Sequence, residues 1–274
     1  MNTSPSPATV RIGIGGWAFA EWRDNFYPAG WPQRRELEYA SRRLSTIEIN
    51  STYYGNQKPS SFAKWRDETP DDFVFSVKAT QYATHRRVLA EAGESIERFI
   101  DSGVSELGAK LGPIVWQFAP TKHFEAEDFE AFLGLLPKQV DGLTLRHVLD
   151  VRHASFMCTD YLELARKHNA ATAFADSDEH PSMANLTSDF VYARLMRSDA
   201  AEPLGYAPEA LDHWAERVKV WASGKEPADL PRVAGTTTAA TRPRDVFILF
   251  ISGAKERAPH AAMGLLALDL TSVG

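Results

Sequence analysis

The sequence predicts a (β/α)8 barrel with a parallel eight-stranded core, and three observations carry that prediction. Eight short β-branched or aromatic runs recur along the 274 residues, each followed by a polar or glycine-rich break. Helical patterns fill the intervals, which implies βαβ units and a parallel sheet. An open doubly wound sheet is the competing arrangement, but its usual fingerprint is absent, because "GIGGWAF" is not G-x-G-x-x-G.

In order, "RIGIGG" near Ile12 opens the barrel and "QRRELEYASRR" follows as its helix. "STIEIN" near Ile47 leads to "PSSFAKWRDE", and "DFVFSVK" near Val74 to "SIERFIDSGVSELGAK". "PIVWQF" near Val115 precedes "EAEDFEAFLGLLP", and "RHVLDVR" near Leu149 precedes "DYLELARKHN". The sixth run, "ATAFAD" near Phe174, is followed only by a weak helix around "PSMANL". "FVYARLM" near Tyr192 leads to "PEALDHWAERVKVWA", and "DVFILF" near Ile248 to "RAPHAAMGLLALDL". A Pro-, Gly- and Thr-rich excursion from Ser223 to Asp245 forms a long loop before the last strand. Residues 1–9 read as a disordered leader and 10–274 as one barrel domain.

A formal charge of −6 and a pI near 5.8 argue against a general binder of nucleic acid or anionic membranes, which relies on a clustered positive field. With one cysteine, Cys158, no intrachain disulfide forms, and a reducing compartment, the cytoplasm, is expected. No run approaches the roughly 18 apolar residues a spanning helix needs, so a soluble protein is expected.

In such a barrel side chains alternate between lumen and helices, and chemistry gathers at the C-terminal strand ends. Ile47 and Ile49 take the helix side, leaving Glu48 and Asn50 to the lumen. By the same alternation Ser76 and Lys78, Gln117 with Val115, and Asp150 and Arg152 with Val148 point inward, as do Asp176 with Phe174 and Arg194 with Tyr192 and Met196. Gly15 and Gly16 with Trp17 are the first strand's contribution. Charges are seldom buried unpaired, so this convergence marks a site.

Each residue also has a structural reading. Glu48 lies deep enough to be a buried charge partner of Arg194 or Arg152 rather than a proton carrier. Lys78, at a strand tip, suits an anion, a base or a Schiff base, or an ion pair with Asp150 or Asp176. Asp150 and Arg152 side by side can orient a substrate. His85 and Arg86 follow the third strand, where a histidine suits acid/base work near neutral pH. Tyr53 and Tyr54 divide between lining the mouth and packing on the next helix. Trp17, Trp22 and Trp116 suit packing, and His153 falls out of lumen register. No H-E-x-x-H, paired C-x-x-C, G-x-S-x-G or Walker loop occurs, and nothing in the spacing demands a metal.

"IGIGGWAFAEWRDNFYP", "YASRRLSTIEINSTYYGNQKPSSFAKWRDETPDDFVFSVKATQYATH", "LGAKLGPIVWQF", "DVRHASF" and "VYARL" together resemble the YecE-like family, domain of unknown function 72, over nearly the whole chain. The resemblance implies a TIM-barrel fold and little chemistry. It carries Gly16, Trp17, Glu48, Asn50, Thr52, Tyr54, Lys78, His85, Gln117, Arg152, Asp176 and Arg194 as site or scaffold residues. Three departures stand out. Asp150 replaces the usual Glu, Met196 and Arg197 replace a His-Gly pair ending the seventh strand, and "FISGAKERAPHAA", with Ser252, Lys255 and Glu256, replaces an Asn-Asn-Asp-like run ending the eighth.

The expected function is an enzyme acting on a small anionic or polyol-like substrate at the C-terminal mouth, a hydrolase, lyase or isomerase. Glu48, Lys78, Asp150, Asp176 and His85 would handle protons, and Trp17, Asn50, Tyr54, Gln117, Arg152 and Arg194 would bind substrate. Its cofactor is left open. The alternatives are a non-catalytic nucleotide or nucleic-acid accessory protein, in which tyrosines stack beside a cationic groove, or a barrel scaffold without activity.

Overall fold

A computed structural model describes residues 8–234 and 241–271. Its first four strands, Val10–Gly15, Thr46–Ile49, Val74–Lys78 and Leu111–Gln117, pair in parallel in that sequence, and His147–Asp150 follows as the fifth. The seventh, Phe190–Leu195, pairs with the eighth, Asp245–Phe250, which returns to the first. The sixth stave is split. Ala171–Thr172 pairs with the fifth strand and Phe174–Asp176 with the seventh, so the two edges of the nine-segment sheet are parts of one run joined at Ala173. That junction closes the cylinder, and closure removes the exposed strand edges.

Two apolar layers result from the alternation. Outside the sheet, Ile12, Ile47, Phe75, Trp116, Leu149 and Phe174 pack under the helices. Inside, Val115, Val148, Ala171, Ala173, Phe190, Tyr192, Phe247 and Leu249 form a separate buried cluster, in which the rings of Tyr192 and Phe247 stack at 6.2 Å. The lumen is thus a packed core through much of its height, as in other barrels of this size.

Several helices begin where the sequence prescribes. Pro59–Glu68 and Pro208–Ala222 start on prolines, whose fixed φ suits the first turn. The second buries Trp214 and Trp221 against Phe174, at ring separations of 6.0 and 5.7 Å. Glu36–Ser41, Gly93–Ile100, Ala126–Leu135, Thr159–Lys167 and Ala258–Leu266 complete the outer ring.

Three expectations are corrected. "SIERFIDSGVSELGAK" is not one helix, because Gly103 adopts φ +103 and the chain resumes as a 3-10 stretch, Val104–Lys110. A Cβ at Gly103 would stand 2.7 Å from Pro59 Cα, so the break seats one helix against another. "PSMANL" is irregular, since its backbone and side-chain groups bond elsewhere: Ala184 N donates to Pro231 O at 2.8 Å, Leu186 N to Glu226 Oε1 at 2.8 Å, and the Asn185 side-chain Oδ1 accepts from Val233 N at 2.8 Å. These bonds stitch the segment after the sixth strand to the Ser223–Asp245 excursion, of which 235–240 lie outside the described residues. The leader, placed at 1–9, lies outside them only to residue 7, and Thr9 is already held. Its N–H donates to Asp245 Oδ1 at 2.9 Å and its carbonyl accepts from Val246 N at 2.9 Å.

Candidate active site at the C-terminal mouth

Above the apolar lumen layer, five strands contribute a continuous network of charged and polar groups. Arg194, fully buried on the seventh strand, donates through Nη2 to Glu48 Oε1 at 2.8 Å and through Nη1 to Asp150 Oδ2. Tyr192 OH donates to Glu48 Oε2 at 2.8 Å and also lies 2.9 Å from Ser76 Oγ. Arg152 Nη2 reaches Asp150 Oδ2 at 3.1 Å and Gln117 Oε1 at 2.9 Å, and Arg194 Nη1 is 3.3 Å from the same amide oxygen. Strands two, three, four, five and seven are thereby cross-linked through the lumen.

Burial alone would lower the Arg194 pKa, but Glu48 and Asp150 outweigh it and hold the guanidinium protonated above its ordinary value. Burial would likewise raise Asp150, yet Arg194 and Arg152 keep its carboxyl below the usual range. Asp150 is therefore held as an ionic partner of Arg194, and Glu48 lies within hydrogen-bond reach of the same cation.

Lys78 is different. It is 8% exposed, and among the described residues its Nζ has neither an ion pair nor a hydrogen bond. It lies 4.2 Å from the ring centroid of Tyr53, over its face. Burial first, with Arg194 and Arg152 reinforcing it and Glu48 and Asp150 opposing, lowers its pKa to about 8. The Tyr53 hydroxyl lies 2.8 Å from His85 Nε2 and 3.5 Å from Gln117 Nε2, so Lys78, Tyr53 and His85 form a chain from lumen to rim. Burial, with Lys78 and Arg152, lowers the His85 pKa, and burial raises that of Tyr53. Thr52 Oγ1 donates to Lys78 O at 2.6 Å and fixes the strand tip.

The sequence-derived candidates therefore divide. Glu48, Lys78, Gln117, Asp150, Arg152 and Arg194 come together, with His85 reached through Tyr53. Asn50 sits at the adjoining strand end, where its amide lies against Gly15: a Cβ there would stand 3.1 Å from Nδ2. Asp176 does not join them. Its neighbour in register, Phe174, packs on the helix side, and Asp176 pairs with Arg197 at 3.3 Å, one of the residues by which this chain departs from the resemblance. Burial raises the Asp176 pKa, with Arg197 opposing. Trp17 also turns away, packing on Trp65 at 5.3 Å and Phe75 at 6.4 Å in the outer layer. Tyr54 is 69% exposed at the rim, and Tyr53 occupies the interior place.

Sequence reasoning missed His180, in the irregular segment after the sixth strand. Its Nδ1 is buried without a hydrogen-bond partner among the described residues, and burial followed by Arg152 lowers its pKa. The only signal for it was position, four residues beyond Asp176, because loops carry no periodicity. Among the described residues no group of three or more His, Cys, Asp or Glu could hold a metal ion, and no helix is long and apolar enough to cross a membrane. A cleft of about 500 Å³ opens at the opposite end of the barrel, away from Lys78, and the Arg146 and Asp245 in its wall pair with each other at 2.7 Å.

Comparison with known proteins agrees with this architecture. The chain is 27% identical to the UPF0759 protein YecE of Escherichia coli over 142 residues, 50% of this chain and 48% of YecE. It is 28% identical to the UPF0759 protein YunF of Bacillus subtilis over 159 residues, 56% of this chain and 54% of YunF. The matched region thus spans about half the length of these curated relatives. The crystal structure of a DUF72 family protein from Thermotoga maritima superposes with a TM-score of 0.68 at 23% identity, covering 94% of this chain and 97% of that one. One from Enterococcus faecalis gives 0.66 at 16% identity, covering 96% and 99%. The family model described as "Protein of unknown function DUF72" matches residues 11–269, and the chain belongs to that family.

Proposed function

We propose that the C-terminal mouth is an enzyme active site in which Lys78 is the reacting group, exchanging a proton with a small anionic substrate in an isomerase-, lyase- or hydrolase-like reaction. One observation carries this reading. Among the described residues Lys78 has no acid partner, in a site whose acids are engaged, and its pKa of about 8 leaves a usable fraction unprotonated near neutrality. Glu48 and Asp150 act through Arg194, holding the field around Lys78, while Arg152, whose side chain is partly exposed at the mouth, supplies the anion-binding donor. Gln117 orients Arg152, and Tyr53, its hydroxyl held by His85, presents its ring face to the Lys78 ammonium. Asp176 lies outside this constellation. A single unpaired cysteine fits work in the reducing cytoplasm.

The test is lysine acylation followed by peptide mass spectrometry across pH. Lys78 should react with a midpoint near pH 8, apart from the bulk of exposed lysines, and an anionic substrate found by screening should lose turnover in Lys78→Met. A Lys78 that titrates with the exposed lysines, or turnover that survives Lys78→Met, overturns the reading.

A further inference from the structure

Beside the Lys78 site, and separated from it by the His85 side chain, a cavity of about 510 Å³ is lined by Gln81, Tyr82, His85, Arg86, Ser95 and Arg98. Its walls are the short helix Gln81–Thr84, positioned by the third strand, and the helix Gly93–Ile100. Three of its side chains are arranged for recognition. The Tyr82 ring is 63% exposed, a large uncovered apolar surface for a residue held in a helical turn. Arg86 is half-buried and fixed in place, its Nε donating to Tyr82 O at 3.0 Å and its Nη2 to Ser95 Oγ at 2.9 Å, and it has no acid partner among the described residues. Arg98, by contrast, is occupied by Glu94 at 2.5 Å. His85 closes the inner wall and is hydrogen-bonded at 2.8 Å to Tyr53, the ring beneath Lys78.

An anchored guanidinium without a carboxylate is a receptor for an anion, and an exposed tyrosine face beside it is a platform for a planar ring. Gln81 and Ser95 add an amide and a hydroxyl for the edge of such a ring. We propose that this cavity is a distal subsite taking a planar hydrogen-bonding ring joined to an anionic group, as in a nucleoside monophosphate, with Arg86 on the anion and Tyr82 on the ring. It rests on the active-site reading in one respect, that the remainder of the same substrate reaches Lys78 past His85.

Isothermal titration calorimetry at low salt with AMP, adenosine and ribose 5-phosphate tests it. AMP should bind saturably, and both fragments at least about tenfold more weakly. Arg86→Ala and Tyr82→Ala, both outside the core, should each weaken AMP by about tenfold with unchanged thermal unfolding. Lys78→Met should bind AMP as the parent does, which separates the two readings: failure of the lysine titration leaves the subsite standing. The subsite is overturned if AMP does not bind saturably or if the Arg86 and Tyr82 variants bind it unchanged. Ribose 5-phosphate binding as tightly as AMP overturns the ring platform.

Discussion

Arg194 Nη2 and Glu48 Oε1 meet at 2.8 Å across the lumen, joining strands 146 positions apart in the chain. Neither side chain is appreciably exposed, so desolvation of both is offset only by this pair and the bonds around it. Removing Arg194 leaves Glu48 buried without a cation and Asp150 with Arg152 alone. Arg194→Met should therefore destabilise the fold by about 3–5 kcal/mol. Glu48→Gln/Arg194→Met should lose less than the two single changes together, with a coupling of about 1–3 kcal/mol in a denaturant-unfolding cycle. Additive losses would show that the two residues act independently.

Lys78 should be costly to stability. Its folded pKa of about 8 lies below the ordinary 10.5, so between those values the unfolded chain binds the additional proton and unfolding free energy rises with pH. At pH 7 the penalty is fully present. Lys78→Met should accordingly stabilise the protein at neutral pH by about 1–3 kcal/mol while abolishing any turnover. Chemical denaturation at pH 7 and pH 10 checks this, since the advantage of the variant should shrink at the higher pH.

A second pH window belongs to His147, far from the proposed chemistry. It accepts from Trp116 Nε1 at 3.0 Å and lies 2.8 Å from Pro137 O, and burial lowers its pKa to about 4. The folded value lies below the ordinary 6.5, so stability from this group is present above pH 6.5 and is lost as pH falls towards 4, amounting to at most about 3 kcal/mol. Replacing it with Gln should flatten the acid limb between those values, measured by thermal unfolding. An unchanged limb would assign the acid sensitivity to other groups.

Asp176→Asn should leave the fold nearly untouched. Its partner Arg197 is half exposed, and such pairs contribute about 0–1 kcal/mol. With a substrate in hand, its turnover should fall far less than that of Lys78→Met, and an equal loss would return Asp176 to the reacting centre.

The barrel was legible because its strands alternate cleanly: Ile47, Glu48 and Ile49 identify two faces on sight, and Lys78, Gln117, Asp150 and Arg194 follow the same parity. Alternation does not say which face is inner. At the sixth stave Phe174 looks like a lumen residue, but Tyr192 and Phe247 already fill that space and only Ala171 and Ala173 fit beside them, so Phe174 and Asp176 turn outward. Trp17 lies beyond a strand end, where parity has no force. The fate of Glu48 depended on whether Arg194, distant in sequence, reached it, and no local pattern encodes that reach. Likewise Tyr53 and Tyr54 are equivalent as letters, and the helical turn Ser51–Tyr54 decides which one faces His85.

The sharing of Arg194 by two acids also limits how this sequence can drift. A change at position 48 or 150 alone strands part of a guanidinium, and a change at 194 alone strands Glu48 and leaves Asp150 to Arg152. Mutational paths through this part of the lumen must pass through paired replacements or through neutral isosteres such as Gln and Asn. Positions 48, 150 and 194 are thus bound into one inherited unit.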